Sequence, residues 1–257
     1  MNTKIIYEQP LNERIRTLLR LEFLFAQAAQ NLHDDSQWGS RNTLNSLQDI
    51  LSIFGRTDLK TEVLKELERH SATLAKLKPN PDIDQDRLKQ ILSELEKLGG
   101  ELHKTGGPIA ANLKENEFLS SIQQRGAIPG GICDFDLPAY HFWLQQPAGQ
   151  RTRDLAKWLG QFETIAQAIK LILRLIRESN GLKPVTAESG FYQITLDSNH
   201  PCQLVRVAVD KKIPYYAEIS GGRHRITVRF LELSKQDNHH AKQSTETINF
   251  ELECCVI

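Results

Sequence analysis

LAKWLGQFETIAQAIKLILRLIRESNG, residues 155–181, is the stretch on which the fold class turns. Leu155, Trp158, Leu159, Phe162, Ile165, Ile169, Ile172, Leu173 and Ile176 recur at helical spacing and cover most sides of one helix, which marks it as the centre of a helical core. Lys157, Glu163, Lys170 and Arg174 interrupt the same stretch, and each is costly inside a bilayer, so it reads as a buried helix and not a membrane span. Past Asn180-Gly181 the apolar period drops from about 3.6 to 2. Short alternating segments broken by Asp197-Ser198-Asn199, Ser220-Gly221-Gly222 and Lys235-Gln236-Asp237-Asn238 then read as antiparallel sheet. The class is α+β, with an α-helical domain over 1–179 and an antiparallel β domain over 180–257.

Working back from the boundary, the amino-terminal half is a series of amphipathic helices. Leu11, Ile15, Leu18, Leu21, Leu24, Phe25, Ala28 and Leu32 define the first, and Asn42 to Phe54 the second, stopped by Gly55. Asp58 is placed to cap the next. Val63, Leu67, His70, Leu74 and Leu77 alternate by four and three, as do Leu88, Ile91, Leu95, Leu98 and Leu102. The breaker Pro79-Asn80-Pro81 between them predicts an antiparallel helical hairpin, its second arm capped by Asp82 or Asp84. A further helix is expected from Ile109 to Gln124. The stretch 128–137, with a tight turn at Pro129-Gly130-Gly131, offers a strand to the later sheet and would carry His141 and Trp143 toward it.

Composition narrows the function classes. The 257 residues contain 32 Lys plus Arg and 32 Asp plus Glu, so net charge gives no reason to expect nucleic acid or an anionic membrane. The amino terminus has no apolar run of signal-peptide length, which predicts a cytoplasmic protein. Cys133, Cys202, Cys254 and Cys255 lack C-x-x-C spacing and read as reduced thiols. Phosphate-loop, dinucleotide, zinc-protease and nucleophile-elbow motifs are all missing, and neither His239-His240 nor Cys133 with His141 completes a catalytic or metal signature. The chain reads as a non-enzyme without cofactor or metal.

Charge is instead concentrated locally. In Gly222–Phe230 the side chains alternate, so Arg223, Arg225, Thr227 and Arg229 share one strand face, with Ile226, Val228 and Phe230 on the other. Val205, Val207 and Val209 similarly alternate with Arg206, Ala208 and Asp210. Between residues 203 and 229 stand six Lys and Arg against two acids. A cross-strand ladder with Glu251 and Glu253 would be a purely structural use of this charge. Three aligned arginines exceed what solubility requires, however, and the guanidinium fork suits carboxylates, so an acidic peptide is the expected ligand. The competing class is a nucleic-acid-binding protein using the same face, with Tyr215, Tyr216 or Phe230 for stacking.

Six collinear blocks carry a family resemblance: PLNERIRTLLRLEFL (10–24), TEVLKELER (61–69), IPGGICDFDLPAYHFWL (128–144), GFYQ (190–193), ISGGRHRITVRF (219–230) and FELECC (250–255). Together they resemble ZapD. The resemblance implies a helical domain joined to a β-sandwich-like domain, a homodimer, and binding to the carboxy-terminal tail of FtsZ that cross-links and bundles its protofilaments at the mid-cell division site. It also implies a basic pocket at the domain junction, mapping onto Arg225 and Arg229, with Arg56 and His141 as further candidates.

Overall fold

A computed structural model describes residues 3–56, 58–197, 201–222, 224–233 and 240–256. The chain divides into a helical unit, Leu18–Ile172, and a sheet unit built from Met1–Thr17 together with Leu173–Ile257.

In the helical unit most local signals act as read. Helix α1 spans Glu13–Leu32 and α2 spans Gln37–Phe54. The second begins five residues before its apolar pattern does, because Ser36 caps it: its Oγ accepts from the Gly39 amide at 2.9 Å. Helix α3 (Leu59–Ala75) is capped by Asp58, which accepts from the Thr61 amide and hydroxyl at 3.3 and 2.6 Å. Helix α4 (Gln85–Lys104) is capped by Asp84, which accepts from the Asp86 and Arg87 amides at 3.1 and 3.0 Å. These two helices pack as the expected hairpin. Val63, Leu67, His70, Leu95, Leu98 and Leu102 are buried, whereas Leu77 near the turn is exposed.

Three expectations for this unit change. The helix over 109–124 is two helices, α5 (Ala111–Lys114) and α6 (Glu117–Gly126), because the Asn116 side chain accepts from the Leu119 amide at 3.0 Å and starts a new helix there. The strand over 128–137 does not form. Its backbone groups are used in local turns, Gly131 N–H to Ile128 O at 2.9 Å and Leu137 N–H to Cys133 O at 3.0 Å, and Pro138 opens α7 (Pro138–Leu144) directly afterwards. The long helix is likewise divided, into α8 (Ala148–Leu159), a single 3₁₀ turn at Gly160–Phe162, and α9 (Glu163–Arg177). Phe162 is fully buried at that break, its ring 5.1 Å from Phe54 and 6.1 Å from Phe25.

The buried Arg151 of α8 ties the unit together. Its Nε donates to Ser40 Oγ at 3.0 Å, and its terminal nitrogens donate to the carbonyls of Leu144, Gln146 and Asp35. Four groups from three segments thereby converge on one guanidinium.

The sheet unit is a sandwich of antiparallel sheets. Its strands are β1 (Lys4–Pro10), β2 (Lys183–Ala187), β3 (Phe191–Thr195), β4 (Leu204–Asp210), β5 (Tyr216–Gly221), β6 (Arg225–Leu233), β7 (Ala241–Gln243) and β8 (Ile248–Cys255). One sheet runs β1-β4-β8-β2; the other runs β3-β6-β5, with β7 also paired to β6. Val205, Val207, Val209, Ile226, Val228, Phe230, Ile248, Phe250 and Leu252 fill the space between, and Phe250 meets Phe230 and Tyr192 edge-on at 5.0 and 5.4 Å. The strand that the amino-terminal part of the chain adds comes from Lys4–Pro10, paired from Lys4↔Asp210 to Pro10↔Leu204, and not from 128–137. Residues 3–17 therefore belong with the sheets, outside the helical domain read as 1–179.

Candidate functional site

Strand β6 lies between β3 and β5, so its outward side chains are flanked on both sides. Ile226, Val228 and Phe230 are fully buried in the sandwich, and Arg225 and Arg229 are exposed, as strand alternation requires. Across the ladder Arg229 stands opposite Phe191 of β3 and Glu218 of β5, while Arg225 stands opposite Thr195. Gln193, Thr227 and Ser220 form the row between. Arg229 Nη2 is ion-paired with Glu218 Oε2, both side chains about half exposed (50% and 47%). A pair that exposed is worth only about 0.2–1 kcal/mol, so a ligand carboxylate can replace Glu218 at small loss. Arg225 has no ion pair among the described residues.

The other candidates divide. Arg223 lies outside the described residues, as does His239. Arg206 is on β4, in the opposite sheet, and is committed there: its Nε donates to Glu8 at 3.2 Å, and its Nη1 donates to Glu253 at 2.8 Å and to the Arg177 carbonyl at 3.2 Å. Arg177 completes this network with two 2.8 Å bonds to Glu8. Arg206 holds the first sheet together and does not join the arginine face. The charge ladder with Glu251 and Glu253 is also redirected, because β8 belongs to the first sheet; Glu251 pairs with Lys4 at 2.6 Å and Glu253 with Arg206. Phe230 is in the core and unavailable for stacking on bases, which removes one ring from the nucleic-acid reading; Tyr215 and Tyr216 are partly exposed.

Arg56 and His141 both belong to the helical unit. Arg56 follows α2 and is exposed beside Lys114, between clefts whose walls include Phe54, Leu59 and Ile109 on one side and Gln48 and Gln123 on the other. His141 is exposed on α7, which meets the opposite end of α2: Gln37 Nε2 donates to Gln145 at 3.2 Å, and the Arg41 guanidinium lies 5.1 Å from the Tyr140 ring. Helix α2 is about 27 Å long at 1.5 Å per residue, so these two candidates are far apart within the unit. Trp143 packs inward, its Nε1 donating to Asp154 at 2.9 Å within a cluster of Phe118, Tyr140 and Trp158.

Residue reading missed Phe191 and Lys114. Alternation in GFYQIT already places Phe191, Gln193 and Thr195 on one face, but which β6 residues they border depends on register between distant strands.

A family model for ZapD, described as cell division protein, matches residues 19–229. The chain belongs to the ZapD family. It is 41% identical over 257 residues to a cell division protein ZapD of Methylococcus capsulatus, covering the whole of both chains. It is 39% identical over 255 residues to that of Coxiella burnetii, covering 99% of each, and 41% identical over 252 residues to that of Ralstonia pickettii, covering 98% of this chain and 99% of the relative. Membership of the ZapD family supports a role in cell division, and these relatives are named as division proteins, not as enzymes. No helix among the described residues is long and apolar enough to cross a membrane.

Proposed function

We propose that this ZapD family member is a cytoplasmic, non-enzymatic division factor that binds the carboxy-terminal tail of FtsZ and, as a homodimer, bundles FtsZ protofilaments and promotes assembly of the ring at mid-cell. The observation that carries this reading is the outward face of β6. Arg225 is without an ion pair among the described residues, Arg229 is held only by a half-exposed glutamate, and the exposed ring of Phe191 sits directly across from Arg229. Two guanidinium forks beside an aromatic ring suit an extended peptide that is acidic and partly apolar. Arg56, flanked by Lys114, is a second basic surface of the same chemistry on the helical unit.

Bivalency supplies bundling in this reading. Each subunit holds one tail, and a dimer that holds two links neighbouring filaments through effective concentration, even where a single tail binds weakly. Pelleting polymerised FtsZ with the protein tests it: bundles form with intact FtsZ and are absent with FtsZ lacking its tail. Equal pelleting of both forms by the wild-type protein overturns the proposal. A salt-sensitive shift of single-stranded nucleic acid with no effect on FtsZ would favour the nucleic-acid reading instead.

A further inference from the structure

Along α1 the charges stop before the helix does. From Phe23 to Leu32 it carries no charged side chain, although Phe23, Ala26, Gln27, Ala29 and Gln30 are all exposed in a chain that is 25% charged. Phe23 stands out among them at 65% exposed. The solvated face of a helix ordinarily carries charge, whereas the centre of a protein interface is depleted of charge and enriched in aromatic rings. Trp38, Phe135 and Phe191 are exposed too, but each stands beside charge: the Arg41 guanidinium lies 5.4 Å from Trp38, Phe135 falls between Asp134 and Asp136, and Phe191 is opposite Arg229.

A groove of about 620 Å³ runs beside this face, all of it within the helical unit. Ala26 and Ala29 form its α1 wall, and Ala156, Gly160 and Ala166 stand on the opposite wall, from α8 to α9. Side chains this small let another helix approach closely. A projecting ring and a groove able to receive one thus lie within two turns of each other.

Their spacing makes the surface complementary to itself. A two-fold axis through Ala26, perpendicular to α1, sets a second α1 antiparallel to the first with Ala26 against Ala26. Phe23 is three residues before that axis and Ala29 three after, about 4.5 Å along the helix in either direction and about 60° to either side of Ala26. The two-fold therefore brings Phe23 of one copy over Ala29 of the other, and does so twice. Glu22 falls opposite Gln30, so no like charges meet.

We propose that this face of α1 is where two copies of the chain meet, antiparallel about Ala26, each Phe23 ring seated over Ala29 at the mouth of the other copy's groove. The inference rests on the homodimer of the reading above and gives it a surface. A two-fold contact requires one patch that fits itself. An unrelated partner would need only an apolar face, with no relation between positions 23 and 29.

Light scattering on the eluting full-length protein tests it. Wild type is expected at twice the chain mass. Phe23→Glu and Ala29→Arg should each halve that mass with melting unchanged, since both positions are exposed. The double variant sets each glutamate opposite an arginine and should return to twice the chain mass. Ala26→Cys, otherwise wild type, should form under mild oxidation a disulfide that peptide mapping places at residue 26 of both copies, because the axis brings these two positions within bridging distance. A dimeric wild type whose mass survives both single substitutions, a double variant that stays monomeric, or no link at residue 26, overturns this pairing and leaves the homodimer itself standing. A wild type of single-chain mass at the concentrations that bundle FtsZ removes the homodimer, and this surface with it.

Discussion

Arg225 and Arg206 were both candidates because each alternates with apolar neighbours on a strand, yet their surroundings assign them opposite work. Arg225 is exposed without an ion pair among the described residues, and Arg206, only 16% exposed, is shared between Glu8 and Glu253. Arg225→Glu with Arg229→Glu should leave the melting temperature within about a degree or two, since exposed charges contribute little to stability, and should abolish co-sedimentation of the protein with FtsZ. Glu218→Gln frees Arg229 and should tighten tail binding roughly threefold, read by fluorescence anisotropy of a labelled tail peptide. Arg206→Met is expected to act on the fold. Leaving Glu8 and Glu253 without this partner should lower stability by about 3 kcal/mol in urea titration, while tail affinity of the folded fraction stays unchanged. Unchanged stability of that variant would remove the structural assignment.

The helices carry their starts in side chains that sequence displays openly. Ser36, Asp58, Asp84 and Asn116 each accept from amides in the first turn of the helix that follows. Asp58 and Asp84 were legible because each follows a chain breaker, Gly55 or Pro79-Asn80-Pro81; Ser36 was not, since the first turn of α2 is polar and carries an exposed Trp38, and Asn116 lies inside a stretch that reads as one helix. Asn116→Ala should merge or fray the start of α6 and reduce stability by about 1 kcal/mol by thermal melting. Asp58 adds a pH dependence. Hydrogen bonds from the Thr61 hydroxyl and amide, and then the charges of Lys60 and Lys65, hold its carboxyl below the ordinary range. Its contribution is therefore complete above the unfolded carboxyl value near pH 4 and is lost as pH falls through the lower folded value. Asp58→Asn should lower stability at neutral pH and flatten the acid limb, so that the gap from wild type closes as pH falls below about 4. The segment 128–137 shows the limit of such reading: alternation at Asp134-Phe135-Asp136 has the strand period, but glycine turns consume the amides a ladder needs.

For the molecule as a whole, a largely electrostatic tail contact predicts that bundling weakens as salt rises past about 0.15 M, where the screening length is about 8 Å, checked by sedimentation across a salt series. The proposed homodimer predicts in addition that a monomeric variant keeps tail affinity in anisotropy and loses bundling in sedimentation. What the sequence determined by itself was the change from helix to sheet near residue 180, the hairpin, the caps at Asp58 and Asp84 and the division of β6 into an arginine face and a buried face. These depend on contacts a few residues apart, and chain period records them directly. The pairing of Lys4–Pro10 with β4, the placement of β4 and β6 in opposite sheets, and hence the separation of Arg206 from Arg225 and Arg229, were decided only in the tertiary structure. Alternation states which side of a strand is buried but not which sheet the strand joins, because that choice rests on partners as distant in the chain as Lys4 and Asp210 and on the shared burial of Phe230 against Phe250.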